Sequence, residues 1–149
     1  MDRRFVFSLG GAIILVLALL LTWSIGPGGD SDWAANLTEM TDPAAIQHAI
    51  QLTHLSIATS DTFAGNIRIR NITGLLTNES DKTVRKIDLK MTFTDYDGKV
   101  VQESTHTVFA SQRMPLNPGG QYRFEVNFEN LPRTWNYRVP NTQIVRVGY

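Results

Sequence analysis

Between Phe5 and Gly29 the chain carries no charged residue: FVFSLGGAIILVLALLLTWSIGPGG. No other stretch limits so sharply what the chain can fold into. At 1.5 Å per residue a helix from Phe5 to Ile25 is roughly 31 Å long, about the thickness of a bilayer core. A helix buried in a globular protein shows a polar stripe, and this stretch has none. Trp23 stands at one end, where an amphipathic ring suits a lipid interface. A cleaved signal peptide is the rival reading, with a shorter apolar run and a small-x-small site after it. Here the exit is TWSIGPGG, with Pro27 where cleavage would fall and no A-x-A pattern. Residues 1–25 are therefore expected to be a stub and a single-pass transmembrane helix, a signal anchor. Arg3 and Arg4 precede the span, and Asp30 and Asp32 follow it. The positive-inside rule then puts the N-terminus in the cytoplasm and the rest of the chain across the membrane.

On a helix, Ser8, Gly11, Ala12, Leu15, Ala18, Leu19 and Thr22 share one side, with small residues in its first half. Small side chains let helix backbones approach in lipid, so Ser8, Gly11 and Ala12 are candidate contacts with a partner helix or a second copy.

Acids and bases balance, 14 against 14, which gives no sign of nucleic-acid binding. The absence of cysteine removes disulfides, thiolate metal sites, a cysteine nucleophile and an acylated lipoprotein cysteine.

Beyond the span, residues 26–42 read as a juxtamembrane linker, since Pro27 and the glycines stop the helix. Asp42-Pro43 opens a short helix, PAAIQHAIQL, with Asp42 as cap and Pro43 in the first turn. Ile46, Ala49 and Ile50 share its apolar face. From there the pattern is β. Leu52 to Thr59 forms a first strand. In NIRIRNITGLLTN, Ile67 and Ile69 alternate, and then Ile72, Gly74 and Leu76 take the other parity, so a bulge is expected near Asn71. Ile87, Leu89, Met91 and Phe93 alternate with polar residues in the clearest half-buried strand. Gly98 to Ala110, QYRFEVNFE and TQIVRVGY supply further strands. About six or seven strands with regular turn signals and one short helix read as an antiparallel sandwich of the immunoglobulin type over residues 43–149.

The stretch TDYDGKVV, residues 94–101, has three readings. As an EF-hand with Gly98 at the sixth position, the first and twelfth ligands would be Phe93 and Ser104, and both fail. As a catalytic acid pair, Asp95 and Asp97 lack a positioned partner. As a hairpin corner, Asp97-Gly98 is a strong turn dipeptide between two strands. The last reading is preferred.

Phe93-Thr94-Asp95-Tyr96-Asp97 resembles the F-x-L-Y-D signature of small bacterial sandwich domains. Gly74-Leu75-Leu76-Thr77-Asn78 matches their G-x-x-x-N, and Leu116-Asn117-Pro118-Gly119 their L-x-P-G. Asp95 departs from the signature leucine. The chain also resembles short membrane-anchored proteins frequent in acidobacteria, through Phe63-Ala64-Gly65-Asn66 and Thr134-Trp135-Asn136-Tyr137 with Pro140. The likeness implies a sandwich fold in a bacterial cytoplasmic (inner) membrane protein, a non-enzymatic role and no catalytic residue.

His48, His54 and His106 show no metal-binding spacing, and no nucleophile elbow or phosphate loop occurs. No cofactor or metal is expected. Trp135, between Pro132 and Pro140 and beside Tyr137, is read as a plug for one end of the sandwich. The alternative for Trp135 and Tyr137 is an aromatic contact with a partner. The sequence thus points to a non-enzymatic, extracytoplasmic β-sandwich module, an interaction or accessory subunit of an envelope or membrane complex. The alternative is an envelope ligand-binding protein or an enzyme acting on polysaccharide or lipid.

Overall fold

A computed structural model describes residues 32–61, 68–129 and 131–149. The apolar run 5–25, and with it Ser8, Gly11 and Ala12, lies outside the described residues, as does the Phe63-Ala64-Gly65-Asn66 motif. Among the described residues no helix is long and apolar enough to cross a membrane. The chain divides into two compact units, residues 1–35 and Asn36–Tyr149. Of the first, one turn of helix is described, α1 (Asp32–Ala35), within the segment that the sequence presents as a linker.

The second unit runs β1 (Glu39–Met40), α2 (Pro43–Ala49), β2 (Ile50–Asp61), β3 (Arg68–Asn78), β4 (Lys86–Thr94), β5 (Val100–Ala110), β6 (Gln121–Glu129) and β7 (Asn141–Gly148). The strands form two antiparallel sheets, ordered β1-β7-β4-β5 and β2-β3-β6. The unit starts at Asn36 rather than Pro43, because β1 pairs with the end of β7 and Tyr149 N donates to Thr38 O at 3.1 Å. Part of the segment read as linker is thus tied into a sheet.

Alternation builds the core. Ile72 and Leu76 from β3 and Phe124, Val126 and Phe128 from β6 face Ile87, Leu89, Met91 and Phe93 of β4, all buried. Fully burying each such side chain contributes about 1.5–3 kcal/mol. Phe93 and Phe128 meet edge to face across the sheets at 4.9 Å. One lateral opening is closed by β5 against β6, where His106 lies 5.0 Å from Phe128 and Phe109 lies 4.9 Å from Tyr122. At the other, α2 packs on β7 and β2. Asp42 Oδ2 accepts from Ala45 N at 3.2 Å, and Ile46, Ala49 and Ile50 are buried, as the sequence suggested.

The outer face of the β4 sheet carries a mixed ionic lattice. Arg146 reaches Glu39 at 3.2 Å and Asp88 at 3.5 Å, Lys86 also meets Asp88, and Lys90 meets Glu103 at 3.0 Å. Hydrogen bonds from Lys90 and Thr92 hold the Glu103 carboxyl below the usual carboxylate range.

The bulge is not where the sequence placed it. The β3–β6 register runs without a break from Ile69 to Thr77. The extra residue lies in β2, between Thr53 and Ser56, where His54 takes φ 54°. The apparent parity change in β3 has another cause: Ile69 lies on the outer face, and Arg70 turns inward with Ile72, Gly74, Leu76 and Asn78. Two of these inward residues carry special duties. A Cβ on Gly74 would lie 2.6 Å from Phe124 Cε1. Asn78, fully buried, donates to Lys82 O at 2.8 Å and Leu116 O at 2.9 Å and accepts from Ser80 N at 3.1 Å and Ser80 Oγ at 2.7 Å. Its main chain bonds Gly119 and Gly120. The G-x-x-x-N and L-x-P-G segments therefore meet at one pole, next to β1 and the point where the chain enters.

Gly74→Ala is expected to cost about 1–3 kcal/mol through overpacking. Gly98→Val is expected to cost about 1–2 kcal/mol through its backbone alone, since φ is 81° and the space around it is open. Denaturant unfolding with Phe124→Leu separates the two causes. The second substitution should relieve Gly74→Ala and add independently to Gly98→Val; additivity in both would refute the steric account of Gly74.

Candidate functional site

The pole opposite the chain entry is formed by the β4–β5 corner and the loop from Leu131 to Pro140. At the corner, Asp95 N donates to Lys99 O at 2.9 Å and Gly98 N to Asp95 O at 3.2 Å, with Gly98 left-handed. This is the three-residue hairpin loop with a glycine bulge. The Asp95 carboxylate is held by main chain through one oxygen: Oδ1 accepts from Asp97 N at 3.0 Å and Lys99 N at 2.8 Å. A strand end that holds leucine in the F-x-L-Y-D signature here holds an acid that caps a turn. Tyr96 at the tip is 75% exposed.

Asn136 clamps the second loop onto this corner. Its main-chain N donates to Thr94 O at 3.0 Å, and its Nδ2 donates to Thr94 Oγ1 at 3.0 Å and Asp95 O at 3.1 Å. Its Oδ1 accepts from Arg138 N at 3.0 Å, arching the chain over Tyr137, which sits at φ 60°. The clamp drives Trp135 inward to 2% exposure, edge-on to Phe93 at 5.8 Å. Trp135 is thus packed as a plug. Tyr137 lies against it at 5.1 Å and remains 52% exposed.

Arg70 completes the group, and the sequence reading missed it. Its guanidinium carbon lies 6.0 Å from the Trp135 ring centre and 5.7 Å from that of Tyr137. Arg70 is 8% exposed, and it makes no ion pair among the described residues. Nη1 of Arg70 and Nε1 of Trp135 are buried and find no hydrogen-bond partner among the described residues. Cation–π contact is worth about 2 kcal/mol when desolvated. Removing a charge from water costs several kcal/mol. The two rings therefore do not offset the burial of this cation. The clue was available: the inward parity of Ile72, Gly74, Leu76 and Asn78, carried back one step, reaches Arg70.

Around the plug, Arg133 and Arg138 are exposed and make no ion pair among the described residues, and Val139, next to Arg138, is an exposed apolar residue. A concavity of about 580 Å³ lies between α2, the start of β2 and β7. It is lined by Ile46, Ile50, Leu52, Ile144, glutamines and threonines, with no ionisable side chain. Among the described residues no three His, Asp or Glu side chains gather at one point. His48 and His54 are exposed, and His106 Nε2 pairs with Ser104 Oγ at 3.1 Å. No family model, curated protein or solved structure matches the chain.

The clamp predicts a local effect. In a Trp23→Phe, Trp33→Phe background, Asn136→Ala should red-shift Trp135 emission and cost about 1–2 kcal/mol. Asp97→Asn should leave both unchanged, and millimolar calcium should not raise the unfolding midpoint. A calcium-dependent rise lost in Asp97→Asn would refute the hairpin-corner reading.

Proposed function

We propose that this chain is a non-enzymatic, membrane-anchored extracytoplasmic module, an interaction or accessory subunit of an envelope or membrane complex. In this reading residues 5–25 form a single-pass helix with the N-terminus in the cytoplasm, as the charges at its two ends suggest. Asn36–Tyr149 is then an immunoglobulin-like sandwich that presents its loop pole to a protein partner. A relationship to the membrane-anchored, F-x-L-Y-D-like sandwich proteins fits the same picture.

The observation that carries the reading is the opposition of the two poles. The chain enters beside β1 and the end of β7, whereas Tyr96, Tyr137 and Val139 are exposed where β4 ends and β7 begins. The nine residues of β4 between them span roughly 30 Å. The exposed aromatic side chains thus lie at the end of the folded unit opposite the end where its chain begins. Tyrosine and tryptophan lead protein–protein hot spots. The groove at α2 supports a second reading, a ligand carrier: its aliphatic carbons, amides and hydroxyls suit a lipid or glycan segment and offer no acid–base pair.

A photo-crosslinking residue placed at Tyr137 or Tyr96 in the native membrane should yield a discrete protein adduct. The same residue at Met114, exposed in the loop between β5 and β6 at the entry pole, should not. Adducts from Met114 with none from Tyr137 or Tyr96 would refute the assignment of the loop pole.

A further inference from the structure

We infer that the loop pole recognises carboxylates, and that the segment it takes is an acidic, extended peptide of a partner protein. The inference rests on the proposed use of this pole as the contact surface and assigns the chemistry of what it contacts.

The argument is one of unmatched donors. Arg70 and Trp135 are each more than nine-tenths buried, each has a nitrogen without a partner among the described residues, and both nitrogens can only donate. A buried donor pair of this kind lacks an acceptor, and a carboxylate supplies two acceptor oxygens and the countercharge for the guanidinium. Among the described residues no acid pairs with Arg70. Asp95 accepts two amides of its own turn through Oδ1. Asp97 is exposed on the hairpin tip, and Glu129 lies on the outer face of its sheet opposite Ile69. The loop from Leu131 to Pro140 adds Arg133 and Arg138 and carries no acid. Cations at the rim raise the rate at which an acidic segment arrives, while pairing with the buried guanidinium sets how long it stays.

Tyr137 is the movable part of the site. Its ring covers the guanidinium at 5.7 Å, is half exposed and rests on a left-handed residue held by one side-chain clamp. An incoming carboxylate takes the position of that ring over Arg70, and the tyrosine turns onto the peptide.

The test uses the full chain in uncharged detergent micelles and two fluorescein-labelled peptides, one alternating glutamate with valine and one alternating glutamine with valine. Fluorescence anisotropy should give at least tenfold tighter binding of the glutamate peptide. Arg133→Gln with Arg138→Gln should weaken it at least tenfold and flatten its salt dependence. Arg70→Met should weaken it at least tenfold with little change in salt dependence. Should Arg70→Met unfold, Arg70→Lys, which keeps the charge but not the planar fork, should weaken it several-fold. Arg123→Gln, exposed on the outer face of the same sheet toward the other pole, should have no effect. Equal affinity for the two peptides, or full affinity in the folded Arg70 variant, would overturn the inference. So would binding to phosphatidylglycerol vesicles without binding to the glutamate peptide. A crosslinked partner at Tyr137 alongside equal peptide affinities would remove this inference alone, whereas loss of the Tyr137 adduct would remove the functional reading beneath it.

Discussion

The even-numbered residues of β3 face the opposite sheet from Arg70 to Asn78 without interruption, and the rest of the folded unit is arranged around that row. In its middle, Ile72 and Leu76 sit in the intersheet core. Between them Gly74 leaves the space into which the Phe124 ring presses. At one end Asn78 binds the β3–β4 turn and the Leu116–Gly120 loop together through buried amide bonds. At the other end Arg70 enters the aromatic cluster of Phe93, Trp135 and Tyr137. A slip of one residue would exchange this whole set for Ile69, Asn71, Thr73, Leu75 and Thr77. Asn71 bonds Asn127 and Thr73 bonds Ser56 on the outer face, so that exchange would bury polar groups without their partners.

The two poles are built alike and left in different states. Each is closed by an asparagine whose side chain gathers loop main chain, Asn78 at one and Asn136 at the other. At the Asn78 pole the polar groups of that residue are satisfied. At the Asn136 pole the clamp is satisfied, yet it holds Trp135 and Arg70 in a cluster where donors outnumber acceptors. Stability alone would favour an apolar residue at position 70, because a desolvated, unpaired cation is among the costliest things to place in a core. That cost is the physical ground for treating this pole as the functional one.

Much of the fold was legible because it rests on local chemistry. The alternation in β4, the Asp42 cap with Pro43, the Asp97-Gly98 corner and the inward Trp135 each follow from a few adjacent residues. What was hidden depends on pairing. β1 is two residues long and exists only as an addition to β7, so no periodicity announces it. The bulge falls at His54, and only the pairing of β2 with β3 reveals it. Arg70 was obscured because, following Ile67, Arg68 and Ile69, it continues an alternation that reads as outward-facing. The parity of Ile72, Gly74, Leu76 and Asn78 points it inward, but following that parity means accepting a buried cation, which the unbroken register with β6 bears out.

The direction of each β3 side chain is therefore the measurement that tests the account most directly. The native chain has no cysteine, so single cysteines at positions 69 to 73 can be titrated with a maleimide in the folded protein. The account predicts fast labelling of Ile69→Cys, Asn71→Cys and Thr73→Cys and protection of Arg70→Cys and Ile72→Cys. Protection at 69 with fast labelling at 70, and protection again at 72, would place a bulge in β3, turn Arg70 to solvent and contradict the account.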